Sequence, residues 1–148
     1  MTYTQSPSLT NSEIDSFLRE QKIAKICSLN EDGTIHATAV WFTHKDGLIV
    51  IITPAVTRKV RNIRNNKKVT VFVDDPAVGK GVLIYGTAAL EYDFDIQEVI
   101  SLFEKYLPRE KAENLARAFT RTSNGGCTKI IVTPERTVSF DGTKHKWL

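Results

Sequence analysis

Two Asp-Gly turns constrain this chain more than any other feature. Glu31-Asp32-Gly33 and Lys45-Asp46-Gly47 each stand between apolar runs. Asp-Gly in that setting is a strong hairpin signal, because glycine takes the positive φ that a tight turn demands. The runs they join, 23–29, 34–42 and 48–53, are therefore expected to pair antiparallel. The middle run alternates, with Ile35, Ala37, Ala39 and Trp41 on one face and His36, Thr38, Val40 and Phe42 on the other. Run 48–53 is almost continuously β-branched, as expected of a strand buried on both faces.

Four further runs complete a set of about seven strands: 69–74, 82–90, 127–132 and 137–140. Gly86 interrupts the second of these, and glycine inside a strand marks a bulge or a bend. Four helices are expected. One begins at Asn11 or Ser12 as cap and carries Ile14, Phe17 and Leu18 on one stripe. A short one follows Thr57. The third spans 93–107 with Ile96, Val99, Ile100 and Phe103 at helical spacing, and Pro108 ends it. The fourth spans 109–119 with Leu115 and Phe119 inward. Short hairpins without βαβ alternation predict a mainly β fold, an antiparallel barrel with flanking helices. Residues 1–10 read as a mobile arm and 11–148 as one domain.

Charge is concentrated in one place. Arg58, Lys59, Arg61, Arg64, Lys67 and Lys68 stand together with no acid among them. The chain has 20 basic and 17 acidic residues, so outside this segment acids outnumber bases. The net charge of +3 is thus a local feature, pointing to a site rather than to a basic coat. With Thr57 as N-cap, Arg58 and Lys59 fall in the first helical turn, where unpaired N–H groups and the helix dipole attract a phosphate. Val60 and Ile63 would face the core, with Arg64 and Lys67 towards water. A solvated basic face reads equally well from these residues. Nucleic-acid binding fits poorly, since no aromatic residues interleave with the bases.

The familiar chemistries find no set of residues. His36, His44 and His145 have no metal-ligand spacing, and neither a nucleophile motif nor a P-loop occurs. Any catalytic residues stay unassigned, so an enzyme of this sequence would draw its chemistry from a bound cofactor. Cys27 and Cys127 lie far apart within apolar runs, as buried reduced thiols of a cytoplasmic protein do. No run approaches the length of a membrane span, and the polar start is unlike a signal peptide.

The order of these parts resembles the pyridoxamine 5′-phosphate oxidase-related family of FMN-binding split barrels. Its components are a DG turn, a strand ending Thr-Ala-Val-Trp-Phe, a second DG turn, an apolar strand ending in Thr, then Thr-Arg-Lys-x-x-Asn-Ile. The likeness runs from residue 14 to 90 and resumes over 129–140. It implies a homodimer with two FMN molecules at the subunit interface, acting on a small-molecule substrate with a nicotinamide donor. By position, Arg58 and Lys59 would grip the flavin phosphate, with Thr53 and Thr57 as hydroxyl donors. Residues 37–42 would lie along the ring, Ala39, Val40 and Trp41 giving backbone contacts. Gly81 and Val82 fall where the partner subunit reaches the flavin, and Trp147 is placed as an aromatic cover.

The chain also departs from that pattern. Ala37 and Phe42 stand where the true oxidases carry Arg and a substrate-binding Lys, and their basic C-terminal signature is missing. The resemblance therefore implies flavin binding without oxidation of pyridoxamine phosphate. A related branch holds a deazaflavin through Lys-x-x-Asn, which Lys59 and Asn62 also match. A non-catalytic flavin or nucleotide binder is the third reading.

Overall fold

The computed structural model describes residues 7–121 and 126–145. It contains α1 (Asn11–Glu20), β1 (Ala24–Leu29), β2 (Ile35–Val40), β3 (Thr43–Lys45), β4 (Leu48–Pro54) and α2 (Arg58–Asn65). Then follow β5 (Lys68–Asp75), β6 (Lys80–Glu91), α3 (Ile96–Glu104), α4 (Arg109–Thr120), β7 (Cys127–Asp141) and a 3-10 turn at Gly142–Lys144.

All strand pairs are antiparallel, and they form one sheet in the order β2-β1-β5-β6-β7-β4-β3. Its outermost strands, β2 and β3, are consecutive in sequence and separated only by Trp41 and Phe42. Three Cα steps span at most about 11 Å, whereas a flat seven-stranded sheet would hold its edges roughly 29 Å apart. The sheet must therefore curl until its edges meet. The result is the predicted antiparallel split barrel.

Ile26, Phe42, Ile49, Ile51, Val71, Val73, Val82, Ile84, Ile130 and Val132 fill the interior. Phe17 and Leu18 of α1 and Val60 and Ile63 of α2 pack into the same core. A second core lies outside the barrel, where α3 and α4 pack Val99, Ile100, Phe103, Ala112 and Ala116 against Ile52 and Cys127. Burial of Ile51 in the first core and Ile52 in the second explains the unbroken apolar run of β4.

Several sequence expectations shift in detail. The cap of α1 is Thr10, one residue earlier than read, in a reciprocal box with Glu13. Run 34–42 breaks after Val40, and the backbone freed at Phe42 is satisfied by side chains. The Phe42 N–H donates to the Tyr106 hydroxyl at 2.8 Å. The Phe42 carbonyl accepts from that hydroxyl at 2.9 Å and from Lys105 Nζ at 3.1 Å. Runs 127–132 and 137–140 are a single strand, β7, in which Pro134 lies opposite Gly86 at a register shift. A Cβ on Gly86 would come within 2.5 Å of the Thr133 carbonyl oxygen, so the strand interruption is a bulge that only glycine fits. On α4, Ala112 and Ala116 face inward and Leu115 is exposed.

Pro7–Thr10 are held in place. The Asp141 N–H donates to the Pro7 carbonyl at 2.7 Å, and the Leu9 N–H to Ser139 Oγ at 2.9 Å. Cys27 is half-buried on the outer sheet surface, and both cysteines are free. No helix among the described residues is long and apolar enough to cross a membrane.

Candidate functional site

The barrel is split because β3 is short. It pairs with Leu48–Val50 only, through Thr43↔Val50, His44↔Ile49 and Lys45↔Leu48. Residues 51–54 of β4 are paired with β7 on one side and have no strand on the other. The outer edge of β2 is likewise without a strand. These two edges carry backbone donors and acceptors free of sheet pairing.

Past Pro54 the chain turns from β4 into α2. Ala55 N donates to the Gly126 carbonyl at 3.0 Å, and the Thr57 hydroxyl donates to the Pro54 carbonyl at 3.0 Å. Thr57 is the N-cap residue, as read, but its side chain closes this turn and accepts nothing from the helix. The first turn of α2 holds no acid. Its opening N–H groups thus lack a side-chain acceptor, at the positive end of the dipole.

Lys59 is the unusual residue. It is only 9% exposed, and no carboxylate pairs with it among the described residues. Burial pushes its amine below the ordinary lysine range. An ammonium so placed costs free energy unless an anion accompanies it. Arg58, one residue earlier, is exposed and lines an open cleft of about 620 Å³ together with Asn30, Glu31, Asp32 and His36. Thr53 points into the barrel end beside Ile51 and is buried, directly opposite Thr128 in the β4–β7 register. The Thr128 hydroxyl is buried with no hydrogen-bond partner.

Asn62 faces inward and is 1% exposed. Its amide donates to Ser28 Oγ at 3.1 Å and to Asn30 Oδ1 at 2.9 Å, tying α2 to the end of β1. Arg64 turns to solvent, its Nε donating to the Tyr92 hydroxyl at 2.9 Å.

The other sequence-derived positions are dispersed. Ala39 is exposed on the outer sheet surface, while Val40 points into the barrel core. Trp41 stacks on Tyr106 with centroids 4.2 Å apart and rings inclined by 5°, and meets Phe103 edge-on. Val82 is fully buried, and Gly81 sits beneath Phe140 and Phe72, where a Cβ would lie 2.4 Å from the Phe140 ring. Trp147 lies outside the described residues. Thr53, Thr57, Arg58 and Lys59 thus gather at the β4–α2 junction. Asn30, just past β1, and His36 of β2 line the cleft beside Arg58, and sequence reasoning missed both. Their only signal was position, since each flanks the first Asp-Gly turn.

Comparison with known proteins agrees with this architecture. Among curated proteins, none matches the sequence. A conserved hypothetical protein, Rv2991, from Mycobacterium tuberculosis superposes with a TM-score of 0.78 at 20% identity, covering 99% of this chain and 97% of its own. HutZ, the heme storage protein from Vibrio cholerae, gives 0.69 at 18% identity over 91% and 98%. An F420 reductase gives 0.67 at 19% identity over 83% and 94%. At such identities these likenesses speak to the fold. The profile of the pyridoxamine 5′-phosphate oxidase family matches residues 10–125, and this chain belongs to that family.

Proposed function

We propose that this chain is a flavin-dependent oxidoreductase that holds FMN by its phosphate at the start of α2, at the interface of a homodimer. The observation that carries the reading is Lys59, a buried amine with no counter-ion among the described residues, in the first turn of a helix whose N-cap makes no side-chain hydrogen bond. A phosphate monoester meets both needs at once, with charge for the ammonium and acceptor oxygens for the N–H groups. The exposed guanidinium of Arg58 adds a planar donor fork. The residues present therefore fit the phosphate end of a flavin. The unpaired edges of β2 and β4 fit the other end, offering backbone donors to the polar rim of a flat ring.

When bound, the flavin supplies the redox chemistry. The chain's own residues grip the phosphate, orient the ring through the strand edges and keep water from one side of it. A small-molecule substrate and a nicotinamide donor complete the reading.

The outer face of the sheet supports a second copy as partner. Ala37, Cys27, Thr70 and Tyr85 stand in one register row across β2, β1, β5 and β6, and Ala39, Lys25, Phe72 and Leu83 in the next. Ile35 is 70% exposed beside them, and Tyr85 is 40% exposed. Exposed apolar side chains grouped on one sheet face, here interleaved with Lys25 and Thr70, are what a self-complementary interface covers.

The competing cofactor is a deazaflavin, favoured by the Lys59-x-x-Asn62 match and by the structural likeness to an F420 reductase. The amide donors of Asn62 are already engaged within the protein, which leaves Lys59 alone of that pair facing a ligand.

The test is the absorption spectrum of the purified protein, with the mass of whatever denaturation releases. A flavin spectrum that disappears in the Arg58→Ala, Lys59→Ala double variant, with the protein still folded, supports the reading. A double variant that keeps its full flavin content sinks it, as would a haem band in place of flavin. Sustained turnover with a nicotinamide donor and an added acceptor separates an oxidoreductase from a passive binder.

A further inference from the structure

Resting on that reading, we infer that the turn at residues 30–34 makes the cleft selective for a flavin whose chain ends at a single phosphate, against one extended by further anionic groups. At about 620 Å³ the cleft is larger than a phosphate needs, so volume does not decide where the ligand ends. Its charge distribution does. Arg58 is the one cation in the lining, and the carboxylates of Glu31 and Asp32 share that lining with it.

The carboxylate of Asp32 is fixed in place. Its Oδ1 accepts from the Thr34 N–H at 3.0 Å and from the Thr34 hydroxyl at 2.5 Å. The hydroxyl first, then the N–H, and more weakly the charge of Arg58 hold it below the usual carboxylate range, which favours its charged form.

The turn is also locked to the helix that attracts the phosphate. From the buried side of α2, Asn62 donates to Asn30 Oδ1 at 2.9 Å. Asn30 in turn donates from its side chain to Thr34 Oγ1 at 3.0 Å, and from its backbone to the Thr34 carbonyl at 2.9 Å. A relay Asn62–Asn30–Thr34–Asp32 thus runs from inside the protein to the cleft wall. Through it, the element that draws in one anion also sets the position of the charge that repels the next. Asn62 acts here as a positioning residue, without touching the ligand.

The experiment is a fluorescence titration of the full-length protein with FMN, with FAD and with a deazaflavin bearing an oligoglutamate tail, at low and high salt. FMN should bind most tightly, with the tailed ligand weaker by roughly two- to fivefold for each anionic group that faces the turn. That preference should shrink at high salt, because exposed charges are screened. Asp32→Asn keeps an oxygen for Thr34 and should narrow the preference, and Glu31→Gln should do so independently. Equal affinities in the native protein, or a preference unchanged by salt and by both substitutions, would overturn the inference while leaving the flavin site standing. Failure of all three ligands to bind would instead remove the flavin reading, and this inference with it.

Discussion

Replacing Lys59 with methionine separates the proposed ligand-binding role of this amine from its packing role. Methionine keeps an unbranched apolar stem at this buried position and deletes the charge. Without ligand, the variant should be at least as stable as the native protein, because a buried, unpaired ammonium is removed. With FMN present the order reverses. A charge-assisted hydrogen bond contributes about 1.5–3 kcal/mol, so Kd should rise roughly 10- to 150-fold. At an FMN concentration of about 100 times the native Kd, ligand stabilises the native fold by about 2.7 kcal/mol. For a variant with Kd about 30-fold higher, the same concentration gives only about 0.9 kcal/mol. At about 2–4 °C per kcal/mol for a chain of this size, the FMN-dependent rise in Tm should fall by about 4–7 °C. Thermal melts of both proteins, with and without FMN, read this directly.

The same residue carries a pH signature. Its pKa is lowered in the folded state, so the unfolded chain binds more protons, and apo stability should climb as pH rises towards the ordinary lysine value of 10.5. Lys59→Met should flatten that climb. An undiminished FMN shift in the variant would refute the assignment of Lys59 to the phosphate. A large loss of apo stability would refute the claim that its charge is a cost.

Two other perturbations test the frame around the site. Tyr106→Phe removes the hydroxyl that both accepts from and donates to the Phe42 backbone, and should cost about 1–3 kcal/mol in denaturant unfolding; a neutral result would mean that water or Lys105 satisfies that backbone unaided. Ile35→Glu places a charge on the exposed apolar face and should shift a dimer towards monomer in sedimentation without altering the circular dichroism; a native protein that sediments as a monomer would remove the dimer from the proposal.

Those features that rest on local chemistry were legible in the sequence, and those that rest on chain closure were not. The Asp-Gly turns marked two antiparallel hairpins, although the second joins β4 to Thr43–Lys45 and not to run 34–42, and the unbroken apolar run of β4 announced burial on both faces. Helix α2 began where its N-cap threonine and basic first turn said it would. The break at Trp41-Phe42 was invisible because it is imposed by curling the sheet, and because its backbone is satisfied by Tyr106, 64 residues away. The join of 127–132 to 137–140 was hidden by Pro134, which reads as a strand breaker until Gly86 is found opposite it. At the site, charge pattern located Arg58 and Lys59, but nothing local showed that Lys59 would be buried while Arg58 would not. Thr57 illustrates the converse. Its residue type and position were right for a cap, yet its hydroxyl serves the preceding turn.

Several departures from the ordinary rules of folding gather around the end of β4 and the start of α2. A well-packed barrel has no reason to bury an ammonium without a partner, to leave the Thr128 hydroxyl unsatisfied, or to stop β3 after three residues with two strand edges open. Each departure costs stability or invites aggregation when taken alone. Lys59 and the helix N–H groups call for an anion with acceptor oxygens, while the open edges call for a flat group with donors and acceptors along its rim. No single side chain of this protein provides both. A phosphate joined to a flat polar ring, as in the proposed flavin, would meet both needs, a narrower requirement than the positive charge of the segment alone sets.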